Sequence, residues 1–279
     1  MTEHHVAVPG GSLFTLDDGG SSAPPILLLH AGIADLRAWD DMTPILVDAG
    51  YRVVRFDARG FGRSTTEAVD FSTVADVLAV LDDRGIRRAV LVGNSRGGSM
   101  AFDTALEAPD RVVAIVAVAA GIGGFEATPG PDEVPLIEEM ERLESMEPMD
   151  ADAVAEIDIR LWVDGPGQPT TRVPSAIREL VRDMDFPADW ASRPEPRNVR
   201  LDPPAVTRLA ELRCPILAVV GALDVSEPAQ AADLLTTAAT NTEVRVVTVP
   251  DVAHMVGMEA PRTLADLIVD FLAPLPRWS

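Results

Sequence analysis

The residues with the clearest capacity for chemistry are Gly93-Asn94-Ser95-Arg96-Gly97-Gly98, which follow the apolar run at 89–92 and precede a helical pattern from residue 99 onward. A serine on such a strand-to-helix turn stands clear of the sheet edge, and flanking glycines allow a tight backbone that a Cβ would obstruct. The other common use of a glycine-rich turn, cradling a phosphate, requires G-x-G-x-x-G spacing, which this segment lacks.

Serine alone is a weak nucleophile and needs a base. Of the four histidines, His4 and His5 lie in an N-terminal stretch expected to fray, and His30 lies in the first central strand-to-helix turn. His254 remains, beyond the last expected strand, where the sites of α/β sheets gather. An imidazole that accepts the serine proton becomes cationic, and a carboxylate on its other nitrogen fixes the tautomer and stabilises that charge. Asp224, after Gly221-Ala222-Leu223, is the choice; Asp251 is a weaker candidate, better suited to capping its loop. The resulting chain order is Ser95, Asp224, His254. A developing oxyanion needs two N–H donors. One is expected from Arg96, directly after the nucleophile, and the second from Gly32, with Ile33 as the fallback.

Arg96 raises a separate question, because a cation at a helix N-terminus opposes the macrodipole by about 0.3–1 kcal/mol. A salt bridge within this acid-rich chain would offset that cost. So would contact between the guanidinium and a substrate carboxylate.

These residues require a sheet to carry them. Continuous Val, Ile and Leu runs at 24–30, 51–57, 89–93 and 111–118, separated by helical patterns, indicate parallel strands covered on both faces. The alternation resumes with a strand at 214–221, a helix near 228–239, a strand at 243–250 and a helix at 259–272. Two short runs joined by Pro9-Gly10-Gly11 suggest an antiparallel hairpin at one edge. Between the halves, residues 122–205 lack buried-strand runs and contain helical stretches such as 136–146 and 174–184. The expected organisation is a core of residues 1–121 and 206–279 with a helical cap at 122–205.

Composition narrows the chemistry. The chain has 279 residues, 47% hydrophobic and 24% charged, as expected for an ordinary globular fold. A net charge of -21 disfavours nucleic acid as a partner. All 23 basic residues are arginine, which excludes a lysine Schiff base and the lysine of a phosphate-binding loop. Cys214 is the sole cysteine, so no intramolecular disulfide forms, and no Cys/His metal spacing occurs. No metal or cofactor is expected. Without signal-peptide features or an apolar run near 20 residues, the reading is a cytoplasmic protein with no membrane partner. Its expected partner is a small-molecule substrate, and a homodimer is compatible with the sequence.

Taken together, the motifs resemble the α/β-hydrolase family, in its cap-bearing esterase, lactonase and carbon-carbon hydrolase forms. The resemblance rests on His30-Ala31-Gly32, the run from Asp57 to Ser64, the turn around Ser95, Gly221-Ala222-Leu223-Asp224 and Ala253-His254. It implies the α/β-hydrolase fold, and it makes the run at 57–64 a structural turn without chemistry. Ala31 stands where the family usually has glycine. Asn94 is similar to the carbon-carbon hydrolases of aromatic degradation, but Met255 occupies the place where those enzymes usually carry tryptophan. Relatives with an aspartate nucleophile are less similar, since this chain has Ser95.

The expected function is a serine hydrolase acting on a small to medium, mainly apolar carboxylic ester or lactone through an acyl-enzyme. The alternatives are a carbon-carbon hydrolase and a non-catalytic ligand-binding member of the fold. Trp162, Trp190, Met140, Met146, Met149 and Met184 supply apolar surface in the cap. Ile33, Trp162 and Met255 are the candidates for lining the substrate pocket.

Overall fold

The computed structural model describes residues 1–147 and 149–278. It begins with the expected hairpin, β1 (Thr2–Val8) and β2 (Gly11–Asp18), paired over its full length from Thr2 opposite Asp17 to Val8 opposite Gly11. His4 and His5 therefore sit in an ordered strand, with the His5 ring 5.4 Å from that of Phe14. The expected fraying is corrected by this pairing, which gives the terminal backbone hydrogen-bond partners.

The chain continues through β3 (Pro25–Leu29), α1 (Thr43–Asp48), β4 (Arg52–Phe56) and the two-residue strands β5 (Thr65–Thr66) and β6 (Asp70–Phe71). Next come α2 (Thr73–Asp83), β7 (Ala89–Asn94), α3 (Arg96–Glu107) and β8 (Val112–Val118). The Ser72 hydroxyl caps α2 by accepting from the Ala75 N–H, and Gly85 follows it at φ 64°. This is the start and stop that the sequence suggested.

After β8 the chain forms α4 (Val134–Glu144), α5 (Ala151–Asp158), a π-helical turn (Ile159–Asp164), α6 (Ser175–Asp185) and the short β9 (Arg197–Asn198). It then returns through β10 (Ile216–Gly221), α7 (Ser226–Ala238), β11 (Val244–Val249), α8 (Val256–Glu259) and α9 (Pro261–Leu272). The main sheet runs β1-β2-β4-β3-β7-β8-β10-β11, with β5 paired to β2. The pairs β1-β2 and β2-β4 are antiparallel, and the ladder from β4 to β11 is parallel. This is the α/β-hydrolase fold.

The unbroken apolar runs have a direct explanation in side-chain alternation. On β3, Leu27 and Leu29 face a core shared with Val77, Leu81 and Phe102, while Ile26 and Leu28 face Trp39, Leu264 and Ile268 on the opposite side. β11 differs from its neighbours because it is an edge strand and leaves Arg245 and Val246 exposed. Among the described residues, no helix is long and apolar enough to cross a membrane.

The helical stretch between β8 and β10 makes its own apolar contacts. Leu136, Leu143, Val154, Ile157 and Leu161 cluster with Val225, next to Asp224. Ile159, Val163, Val181 and Met184 pack on Ala31, Ala34 and Met255. Met184 is thus buried, whereas Trp190 and Met146 remain exposed.

Candidate active site

Ser95 lies where β7 ends and α3 begins, with φ 53° and ψ -115°. A non-glycine residue in such a conformation carries about 1–3 kcal/mol of strain that its surroundings must hold. They do so through its N–H, which donates to the Val118 carbonyl at 2.9 Å, and through backbone packed too closely for side chains. A Cβ on Gly93 would collide with the Gly97 carbonyl, and one on Gly97 with the Leu29 carbonyl. The glycines around the serine are therefore required by close approach.

The other end of the sheet supplies the histidine and its carboxylate. The Ala222 N–H donates to Val249 and the Leu223 N–H to Val252, both at 2.9 Å, which ties the loop after β10 to the loop after β11. This brings His254 Nδ1 to within 2.9 and 3.1 Å of the two carboxylate oxygens of Asp224. With Nδ1–H donating to the carboxylate, Nε2 carries the basic lone pair. Both side chains are almost fully withdrawn from solvent, at 4% and 1% exposure. Asp251 does not join them; it takes φ 60°, and its carbonyl accepts from Arg172 at 2.9 Å.

Among the described residues, no hydrogen bond joins Ser95 Oγ to His254. The link between them runs through Asn94, whose buried amide donates to the carbonyls of Val118 and His254, each at 3.2 Å. The indole of Trp162, on the π-helical turn, covers the imidazole at 4.7 Å between centroids and a tilt of 51°.

The loop after β3 is held from below. His30 Nδ1–H donates to the Ala31 carbonyl at 2.7 Å, and its Nε2 accepts from the Ala58 N–H at 2.9 Å. Burial, reinforced by the nearby Arg96 charge, pushes the His30 pKa down to about 3, which keeps the ring neutral. Asp57 accepts from the N–H groups of Leu36 at 2.9 Å and Arg63 at 2.7 Å, and burial raises its pKa to about 6. The run at 57–64 thus buttresses the loop. Gly32 and Arg96 share the wall of a cavity of about 450 Å³, and the space beside the Gly32 Cα is open. Ile33 and Met255 pack into the apolar cluster above the loop instead.

Among the described residues, Arg96 finds neither the salt bridge nor the hydrogen bonds that its charge invites. Its Nε and Nη2 are sealed from solvent without a partner, and its Cζ lies 4.2 Å from the Phe61 ring centroid. Burial pushes its pKa down to about 10, so it remains a cation at neutral pH.

Two further residues that position the histidine carry no sequence signal. Glu259 accepts from the Ala253 N–H at 3.0 Å and pairs with Arg172 at 2.6 Å. Arg172 also donates to the carbonyls of Val163 and Asp164, both at 2.6 Å. One guanidinium therefore binds the helical stretch to the His254 loop. Nothing in the local sequence distinguishes it from the other 22 arginines.

Comparison with known proteins gives a consistent family. A family model described as "Alpha/beta hydrolase family" matches residues 26–267. A 2-hydroxy-6-oxononadienedioate/2-hydroxy-6-oxononatrienedioate hydrolase from a Pseudomonas species is 32% identical over 140 residues, covering 47% of this chain and 50% of the relative. Epoxide hydrolase A of Mycobacterium tuberculosis is 37% identical over 123 residues, covering 42% of this chain and 38% of the relative. The chain therefore spans half or less of the length of these curated relatives. A solved structure described as Est816, an N-acyl homoserine lactone degrading enzyme, superposes with a TM-score of 0.73 at 25% identity, covering 96% of this chain and all of that one.

Proposed function

The chain belongs to the alpha/beta hydrolase family, and from that premise we propose that it is a serine hydrolase of carboxylic esters or lactones. The observation that carries this reading is the buried His254-Asp224 pair beside a serine in strained backbone at the β7-α3 junction. In the proposed reaction, Ser95 Oγ attacks the carbonyl carbon while His254 Nε2 takes its proton. Asp224 holds the imidazole in the tautomer that leaves Nε2 free and stabilises the cation that forms. The alkoxide created on the substrate is met by the N–H groups of Arg96 and Gly32.

His254 then protonates the leaving alcohol. Water, deprotonated by the same imidazole, cleaves the acyl-enzyme and restores Ser95. The Trp162 face over His254 excludes solvent and adds a favourable interaction when the ring is cationic, of about 0.5–2 kcal/mol. No metal or cofactor takes part in this scheme.

We assign residues 122–205 as a cap over the site, since their apolar side chains pack on Ala31, Met255 and Val225. Trp162 and the partly exposed Ile33 are the proposed apolar contacts for substrate, whereas Met255, expected there from the sequence, is fully buried in the cluster above the loop; a cytoplasmic location is part of the same proposal. The N-acyl homoserine lactone degrading relative supports acyl-transfer chemistry. Epoxide opening is disfavoured because the proposed nucleophile is a serine. Asn94 and the 32% identical relative favour a second reading, carbon-carbon cleavage, with Met255 arguing against it.

The test is labelling by a fluorophosphonate probe together with hydrolysis of short p-nitrophenyl esters, in wild type and Ser95→Ala. Both signals should vanish in the variant. Absence of labelling and turnover in folded wild type would overturn the reading, and product analysis separates ester from carbon-carbon cleavage.

A further inference from the structure

Arg96, the residue after Ser95, bounds two cavities that share part of their lining. One, of about 450 Å³, also includes Gly32 and Phe61; the other, of about 860 Å³, includes Ser99 and Glu227. Phe71, Arg96, Pro196 and Asn198 belong to both. The other arginines on the smaller cavity have acidic partners: Arg59 with Asp76 at 2.7 Å and Arg193 with Asp189 at 3.0 Å. Arg96 has none among the described residues, and two of its nitrogens lack any protein acceptor.

Two nitrogens of this half-buried guanidinium are kept from water without an acceptor and need compensation, which a single aromatic face supplies only in part. A chain with 44 acidic residues had ample means to provide a salt bridge here. Asp103 and Glu227 line the larger cavity, but neither pairs with Arg96. Burial raises the pKa of both, Asp103 to about 6. The net charge of -21 repels anions at a distance, yet that repulsion is screened beyond about 8 Å at physiological ionic strength. At contact, the unpaired guanidinium dominates.

We propose that the Arg96 side chain is the anion-recognition element of the site and that the acyl part of the substrate carries a free carboxylate. This deepens, and rests on, the reading of Ser95 as the nucleophile. One residue then holds two parts of the same acyl group, its main-chain N–H at the carbonyl oxygen and its guanidinium at the carboxylate. The substrate class is a half-ester of a short dicarboxylic acid, or a lactone bearing a carboxylate within the reach of one arginine side chain. Planar, two-point recognition of carboxylate is the interaction that guanidinium performs best.

The experiment compares mono-p-nitrophenyl glutarate with its methyl-capped, neutral counterpart as substrates for wild type and Arg96→Met. Wild type should prefer the free carboxylate, and the ratio of kcat/KM values between the two esters should fall at least tenfold in the variant. A ratio that stays within twofold of wild type, or a wild type that prefers the capped ester, overturns the proposal.

Isothermal titration of glutarate into Ser95→Ala, with and without Arg96→Met, provides a readout independent of turnover. Binding that is lost with Arg96→Met supports the anion site even if Ser95 is not the nucleophile. Absent or equal binding overturns it. Failure of the serine-hydrolase reading would instead appear as absence of probe labelling and of turnover on both esters. Circular dichroism and the Tm of Arg96→Met establish that the variant is folded.

Discussion

Asn94 and His254 are joined by a hydrogen bond of 3.2 Å from the side-chain amide of one to the main-chain carbonyl of the other. The residue directly before Ser95 thus ties the turn after β7 to the loop after β11. A second donation from the same amide, to Val118, fixes its orientation. Replacing Asn94 with leucine would remove this donor from two buried carbonyls, of which Val118 keeps the Ser95 N–H and the other is left unsatisfied, at a cost of about 1–3 kcal/mol. Because one of them belongs to His254, ester turnover should fall at least tenfold, mainly in kcat. Denaturant unfolding and steady-state kinetics check both; kinetics unchanged despite lost stability would confine Asn94 to a packing role.

The strain at Ser95 can be measured separately from catalysis. Glycine adopts φ 53°, ψ -115° without a Cβ penalty. Ser95→Gly should therefore abolish turnover and gain about 1 kcal/mol of stability. For a chain of this size, that gain raises Tm by roughly 2–4 °C. A fall in Tm would mean that the serine conformation is relaxed.

Arg172 and Glu259 form a pair with 13% and 5% side-chain exposure, so breaking it from one side leaves a buried carboxylate unpaired. Arg172→Leu should cost about 3–5 kcal/mol. It should also lower kcat on neutral esters, because Glu259 holds the Ala253 N–H next to His254. Adding Glu259→Gln to Arg172→Leu should recover part of the stability by removing the stranded charge. Thermal unfolding of the single and double variants tests this, and a double variant no more stable than Arg172→Leu would refute it.

Much of this architecture was legible because local and tertiary requirements coincide. The strand-turn-helix around Ser95 appears in the sequence as an apolar run, three glycines and a helical pattern, and the structure needs those glycines for close backbone approach. The spatial neighbourhood of Asp224 and His254 was legible only as chain order and loop position; the hydrogen bonds between the two loops made it specific. α5 and the π-helical turn carrying Trp162 were not foreseen, since the apolar residues of 151–164 pack on two separate clusters and show no single stripe. The role of Arg172 was invisible for a different reason, and for the same reason the choice between a paired and a substrate-facing Arg96 stayed open. Arginine has the same sequence signature whether it is paired, clamping carbonyls or left without an acid.

Stability should respond to pH through a small set of buried carboxyls and one buried histidine. Burial raises Asp57 and Asp103 to about 6. Burial and the neighbouring Asp158 charge also raise Asp185, which shares its site with a raised Asp158. A carboxyl whose pKa is higher folded than unfolded binds more protons in the folded state, so its stabilisation is complete at low pH and lost as pH rises through the folded value. His30 acts in the reverse sense: held near 3 by burial, it opposes folding as pH falls below the unfolded histidine value of about 6.5. Between pH 8 and 6.5 only the carboxyls act, and Tm should rise on acidification, with Asp185→Asn removing most of that rise. Calorimetry across this range checks the trend; a Tm that falls from pH 8 to 6.5 would show that these carboxyls are ionised and compensated in the folded protein.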